Sequence, residues 1–100
     1  MKIAEKLNKD FKSGAVTVAF LGDSVTNGAF ESGSKKMHSA FDFEAVYHNR
    51  FKKMLSALFP TVPVNIINAG IGGDNAKMGL ARMDRDVLSK NPDLTVVCFG

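Results

Sequence analysis

Two short stretches carry the residue types that could do chemistry. In "VAFLGDSVTNGAF", residues 18–30, an apolar run stops at Gly22 and is followed at once by Asp23 and Ser24. A serine hydroxyl attacks a carbonyl when a base takes its proton and donors hold the resulting oxyanion. In "NAGIGGDN", residues 68–75, Gly72-Gly73 precede a helix start. Such a turn presents backbone N–H groups with no side chain in the way, which suits a phosphate or a developing oxyanion. Each stretch also has a plainer reading. Asp and Ser cap helices well, so Gly22-Asp23-Ser24 by itself reads as a strand-to-helix turn.

Other sequence features narrow the chemistry. The nucleophile elbow G-x-S-x-G is absent, because Thr26 stands two residues after Ser24. The dinucleotide fingerprint fails too: Gly70 and Gly72 fit, but Asn75 holds the third position, and the turn follows the second strand. There is no Walker A loop. His48 is expected on the polar, solvated side of its helix, and His38 lies in a polar loop, so neither histidine supplies a base. No group of His, Cys, Asp and Glu has metal-ligand spacing, and no cofactor is implied. Asp84, Arg85 and Asp86 read as a solvated helix face. Met54, Met78 and Met83 fall at core-facing spacing.

The elements that must position these residues follow from periodicity. Ile3, Leu7 and Phe11 recur every four residues, which predicts an amphipathic helix that Gly14 can cap. "AVTVAFL", 15–21, is apolar and rich in β-branched residues, as a strand buried on both faces requires. Residues 31–42 read as a polar loop bordering the mouth of the site. Phe43, Val46, Tyr47, Phe51, Met54, Leu55 and Leu58 give one helical face over 43–58. Pro60 and Pro63 close that helix before a second strand, "VNIIN". Ala76, Leu80, Met83 and Val87 mark another helix, with Asp74 or Asn75 placed to cap it. "LTVVCFG" is the third strand, in which Cys98 reads as a small buried hydrophobe. Strands alternating with helices predict an α/β domain with a parallel sheet. Ligands of such sheets sit at the carboxyl ends of the strands, where Ser24 and the Gly70–Gly73 turn both fall.

Composition excludes several classes. With 100 residues and 45% apolar side chains, the chain suits part or all of one domain and not two. The net charge of +3 is scattered as pairs, such as Lys35-Lys36 and Lys52-Lys53, without the one-sided basic stripe that nucleic acid requires. No apolar run nears the roughly 20 residues of a membrane span. The charged N-terminal stretch lacks the apolar core of a signal peptide. One cysteine allows no internal disulfide, and a reduced, cytoplasmic setting is the expectation. A sheet whose third strand runs to the last residue leaves an unprotected edge, so residues 1–100 are expected to be the front portion of a longer single domain.

The chemical stretches also resemble a family. "GDSVTNG" resembles the first block of the SGNH, or GDSL-type, esterases and lipases. "NAGIGGDNAKMGLARMDRDVL" resembles their second block and the helix after it, and "NPDLTVVCFG" the approach to their third. The blocks run in order from Val16 onward. The resemblance implies a flavodoxin-like sheet with strand order 2-1-3 in the part present. It implies an ester hydrolase acting through an acyl-enzyme on Ser24, with the backbone N–H groups of Ser24 and Gly73 as oxyanion donors. Gly73 is preferred to Gly72 because the family's glycine directly precedes the polar residue opening the helix, here Asp74. Asp23 matches the motif without being the family's triad acid and is expected to organise the turn. The family's third donor, an Asn of block three, and its base, a His in a late Asp-x-x-His, have no counterpart in these residues. This piece alone is therefore expected to be inactive. The implied substrate is an acyl or acetyl ester of a small molecule or carbohydrate, with no cofactor or metal, no nucleic acid and no membrane. The alternative is a non-catalytic module that holds an anionic ligand at the Gly70–Gly73 turn.

Overall fold

Val16, Val18 and Phe20 face one side of the first strand, and Ala19 and Leu21 the other, and all five are buried. This two-sided alternation makes β1 (Val16–Gly22) the centre of the molecule. The computed structural model describes residues 2–8, 14–31 and 39–99. Expectations placed on Phe11, His38 and most of the 31–42 segment lie outside these residues.

β1 pairs in parallel with β4 (Val64–Gly70) on one side and with β5 (Leu94–Cys98) on the other. The order β4-β1-β5 is the expected 2-1-3 arrangement of the sheet strands. On one face, α1 (Lys2–Leu7) and α3 (Tyr47–Leu58) bring Ile3, Leu7, Tyr47 and Phe51 against Val16, Val18 and Phe20. On the opposite face, α4 (Ala76–Asp86) and the residue after it bring Met83 and Val87 against Ala19, Leu21 and Ala69. Asp93 closes the amino end of the sheet. Its carboxylate accepts from the Thr17 N–H at 2.9 Å and from Lys6 Nζ at 3.1 Å, which ties α1 to the sheet.

Several expectations are corrected here. The helix expected over 43–58 begins at Tyr47. The Asp42 carboxylate accepts from the N–H groups of Glu44 and Ala45, both at 3.0 Å, and holds 43–45 as a turn. Within the expected 31–42 loop, β3 (Ser39–Phe41) pairs antiparallel with β2 (Ala29–Glu31), which begins before it. Met54 and Leu58 are exposed, as are Met78 and Leu80. The buried stripe of α4 runs through Gly79, Met83 and Val87. A Cβ on Gly79 would overlap the Phe99 ring, so the absent side chain lets the helix approach the sheet. Cys98 is exposed, against expectation. It ends the edge strand β5, and at Val97 and Cys98 both faces of that strand are open among the described residues.

Candidate active site

Gly22 ends β1 in register with Gly70 of β4 and Cys98 of β5, so three strands finish at one level. A Cβ on Gly22 would overlap the Thr26 hydroxyl and the Cys98 carbonyl oxygen, which is why the strand exit is a glycine. Asp23 leaves the strand in extended conformation and caps α2 (Ser24–Asn27), its carboxylate accepting from the Val25 N–H at 3.2 Å. Asp23 thus organises the turn, as expected. The capping role belongs to Asp23, and Ser24 is the first residue of the helical turn, half-buried at the mouth of the sheet. Gly28, at φ 116°, ends this turn with its N–H shared between the Ser24 and Val25 carbonyls.

The serine turn is held from beneath by α3. Thr26 is fully buried, and its hydroxyl lies 2.8 Å from the Tyr47 hydroxyl. Burial pushes the Tyr47 phenol above its usual range, against the opposing pull of the Thr26 hydrogen bond. His48 is 5% exposed, and its Nε2 lies 2.8 Å from the Thr26 carbonyl oxygen. This corrects the expected solvated His48. The position is three before Phe51 and seven before Leu55, the spacing of one helical face, and that signal was available in the sequence. A carbonyl oxygen only accepts, so Nε2 carries a proton and donates. The Asn27 carbonyl accepts from Asn68 Nδ2 at 2.9 Å, and Asn68 Oδ1 accepts from the Gly70 N–H at 3.0 Å.

The glycine turn lies beside this platform. A Cβ on Gly70 would overlap the Asn27 backbone nitrogen, so β4 runs directly against α2. The Ile71 N–H donates to the Gly22 carbonyl at 3.1 Å and extends the parallel ladder past the strand end. A Cβ on Gly72 would sit 3.6 Å from the Ser24 Cβ, at ordinary contact distance. Gly73 follows at φ 82°, exposed, with open space around its α-carbon. The Asp74 N–H returns to the Ile71 carbonyl at 3.2 Å. Asn75, one of the two expected caps, caps α4 by accepting from the Met78 N–H at 3.0 Å. Ser24 and the Gly72-Gly73 turn, distant in sequence, are therefore neighbours in the fold.

Arg82, which sequence reasoning missed, links these pieces. Its side chain is 9% exposed. Nη2 donates to the Gly22 carbonyl at 3.0 Å, Nη1 to the Ala69 carbonyl at 2.7 Å, and Nε to Asp74 Oδ2 at 2.7 Å. Nη1 also reaches Asp86 Oδ2 at 3.1 Å. Asp84 and Arg85 face solvent as expected, while Asp86 turns toward Arg82. Hydrogen bonds from Arg85 and then Arg82 hold the Asp86 carboxyl down to about 2. A cavity of about 290 Å³ lies between the β4 end and α4, with Arg82, Asp86 and Lys90 in its wall. Gly70 and Ile71 also line it, so it borders the glycine turn, while neither Ser24 nor Gly73 stands in its wall.

Residues 20–100 match the GDSL-like lipase/acylhydrolase family. An acetylxylan esterase of Geobacillus stearothermophilus is 27% identical over 84 residues, covering 81% of this chain and 36% of that protein. Among solved structures, a two-domain esterase active on acetylated mannans superposes with a TM-score of 0.72 at 35% identity, over 85% of this chain and 20% of that one. A lipase/acylhydrolase from Enterococcus faecalis superposes with a TM-score of 0.62 at 29% identity, over 85% of this chain and 38% of that one. The chain thus spans about a third of the curated relative it matches.

Proposed function

The chain belongs to the GDSL-like lipase/acylhydrolase family, and from that premise we propose that it carries the nucleophile half of a serine ester hydrolase. Ser24 attacks the ester carbonyl, an acyl-enzyme forms as the alcohol leaves, and water then releases the acid. The backbone N–H groups of Ser24 and Gly73 hold the oxyanion. The observation that carries this reading is the juxtaposition of Gly72 and Ser24 at the shared carboxyl end of β1 and β4, where a Cβ on Gly72 would lie 3.6 Å from the Ser24 Cβ. A carbonyl attacked by Ser24 would place its oxygen toward that turn, where oxyanion donors act; removing one such donor typically costs roughly 10²–10³ in rate.

The substrate class is an acyl or acetyl ester on a carbohydrate, supported by relatives named for acetylated xylan and mannan. The Nε2 of His48 is no base for Ser24, because it carries a proton donated to the Thr26 carbonyl. The family resemblance assigns the base to a late histidine and the third donor to an asparagine, neither matched within these residues. The 100-residue chain alone is therefore expected to hydrolyse p-nitrophenyl acetate no faster than its Ser24→Ala variant.

The test is labelling of the intact protein with a fluorophosphonate probe. Label on Ser24, lost in Ser24→Ala together with ester hydrolysis, is the expected result. Label or hydrolysis that survives Ser24→Ala overturns the assignment. Retained binding of inorganic phosphate at the Gly70–Gly73 turn, with no hydrolysis by the parent, would instead favour an anion-binding module.

A further inference from the structure

Resting on the reading of Ser24 as nucleophile, we propose that Arg82 is a positioning residue that sets the spacing between the serine turn and the glycine turn. An arginine that served only to stabilise α4 would need one partner, Asp86, four residues on along the helix. Arg82 instead sends most of its hydrogen bonds to the residues that flank the two turns, Gly22 and Ala69 at the strand ends and Asp74 after the glycines. The Gly22 carbonyl is two residues before Ser24, the Ala69 carbonyl is four before Gly73, and the Asp74 carboxylate is the residue after Gly73.

The Gly22 carbonyl is the meeting point. It accepts from Ile71 at 3.1 Å and from Arg82 Nη2 at 3.0 Å, so both of its lone pairs are used across the junction. A guanidinium suits this task because Nε, Nη1 and Nη2 lie in one plane and point in fixed, different directions. A lysine ammonium could keep the charge and the Asp86 pair, but it cannot span the Gly22, Ala69 and Asp74 oxygens together. The Arg82 side chain is largely buried and its hydrogen bonds go to protein oxygens, so it acts through the segments it holds. The separation of the Ser24 and Gly73 N–H groups follows from the positions of Gly22, Ala69 and Asp74.

The consequence is a split between stability and rate. In the intact protein, with Ser24-dependent hydrolysis of p-nitrophenyl acetate first established, Arg82→Lys and Arg82→Ala are compared with the parent. A misplaced donor costs up to about 10²-fold, so kcat is expected to fall by about that factor in both variants while KM stays close to the parent value. Arg82→Lys is expected to recover most of the melting temperature that Arg82→Ala loses, yet not its kcat. Added guanidinium is expected to raise kcat of Arg82→Ala and not of Arg82→Lys. The proposal is overturned if Arg82→Lys restores kcat and melting temperature together, or if kcat per folded molecule is unchanged in either variant. Should Arg82→Ala fail to fold, the lysine variant decides the question alone. Parent hydrolysis that survives Ser24→Ala would overturn the nucleophile assignment itself, a result distinct from Ser24-dependent hydrolysis that ignores Arg82.

Discussion

His48 and Thr26 are joined by a hydrogen bond of 2.8 Å between the imidazole Nε2 and the backbone carbonyl directly beneath the serine turn. The carbonyl belongs to a fully buried residue, and the ring packs against Phe20 with centroids 5.2 Å apart. Removing the donor leaves a buried acceptor without its partner, which costs about 1–3 kcal/mol. His48→Phe is therefore expected to lower unfolding free energy by about that amount in chemical denaturation, while His48→Gln, which retains an N–H donor, loses less. Equal stability of His48→Phe and the parent would show that the bond carries no weight.

The glycines of the second turn are expected to respond differently to the same substitution. At Gly70 a methyl group would run into the backbone of Thr26 and Asn27, which has no flexible end to yield. Overpacking of this kind costs about 1–3 kcal/mol or more. At Gly73 a methyl group meets nothing within 4 Å, and the cost is the strain of φ 82° on a residue with a Cβ, about 1–2 kcal/mol. Thermal unfolding of Gly70→Ala and Gly73→Ala should rank the first as the more damaging. The reverse order would mean that β4 does not approach α2 as closely as described.

Asp86 makes stability depend on acid pH. Its carboxyl titrates at about 2 in the folded protein against 3.8 for the free group, chiefly through the Arg85 hydrogen bond and then Arg82. A depressed folded value favours the ionised, folded form above the unfolded value, so the contribution is present above about pH 4 and lost as pH falls toward 2. Arg85 is largely exposed, with 73% of its side chain accessible, so solvent screening limits the effect to about 1 kcal/mol or less. The gap in unfolding free energy between the parent and Asp86→Asn is expected to shrink as pH is lowered through this window. A gap that stays constant with pH would show that the ion pairs contribute nothing to folding.

Local pattern was enough to reveal the three strands of the parallel sheet and the two turns, while the strand order came from the family resemblance. β1 reads as buried on both faces because β-branched and apolar residues fill every position from Val16 to Leu21, and that property needs no partner to be recognised. Gly22-Asp23-Ser24 and Gly70–Gly73 stand out because glycine and short polar residues break apolar runs for backbone reasons that are also local. What the sequence left hidden depends on neighbours. The buried face of His48 was legible in its spacing from Phe51 and Leu55, but the Thr26 carbonyl it serves has no sequence signature. Cys98 looked buried because its run is apolar, but among the described residues it ends a strand with no neighbour on its outer side. At Gly79 only the fold shows that Phe99 fills the space a side chain would take.

Arg82 marks the boundary most clearly. By itself the sequence determined that this is a parallel α/β sheet with a serine turn and a glycine turn at the strand ends, because period and turn chemistry act within a few residues. The family resemblance already implied that the two turns meet; only the tertiary structure decided that a helix arginine fastens Gly22, Ala69 and Asp74 together. Such contacts join positions up to 60 residues apart, and hydrogen bonds to backbone oxygens leave no mark on the type of residue that accepts them.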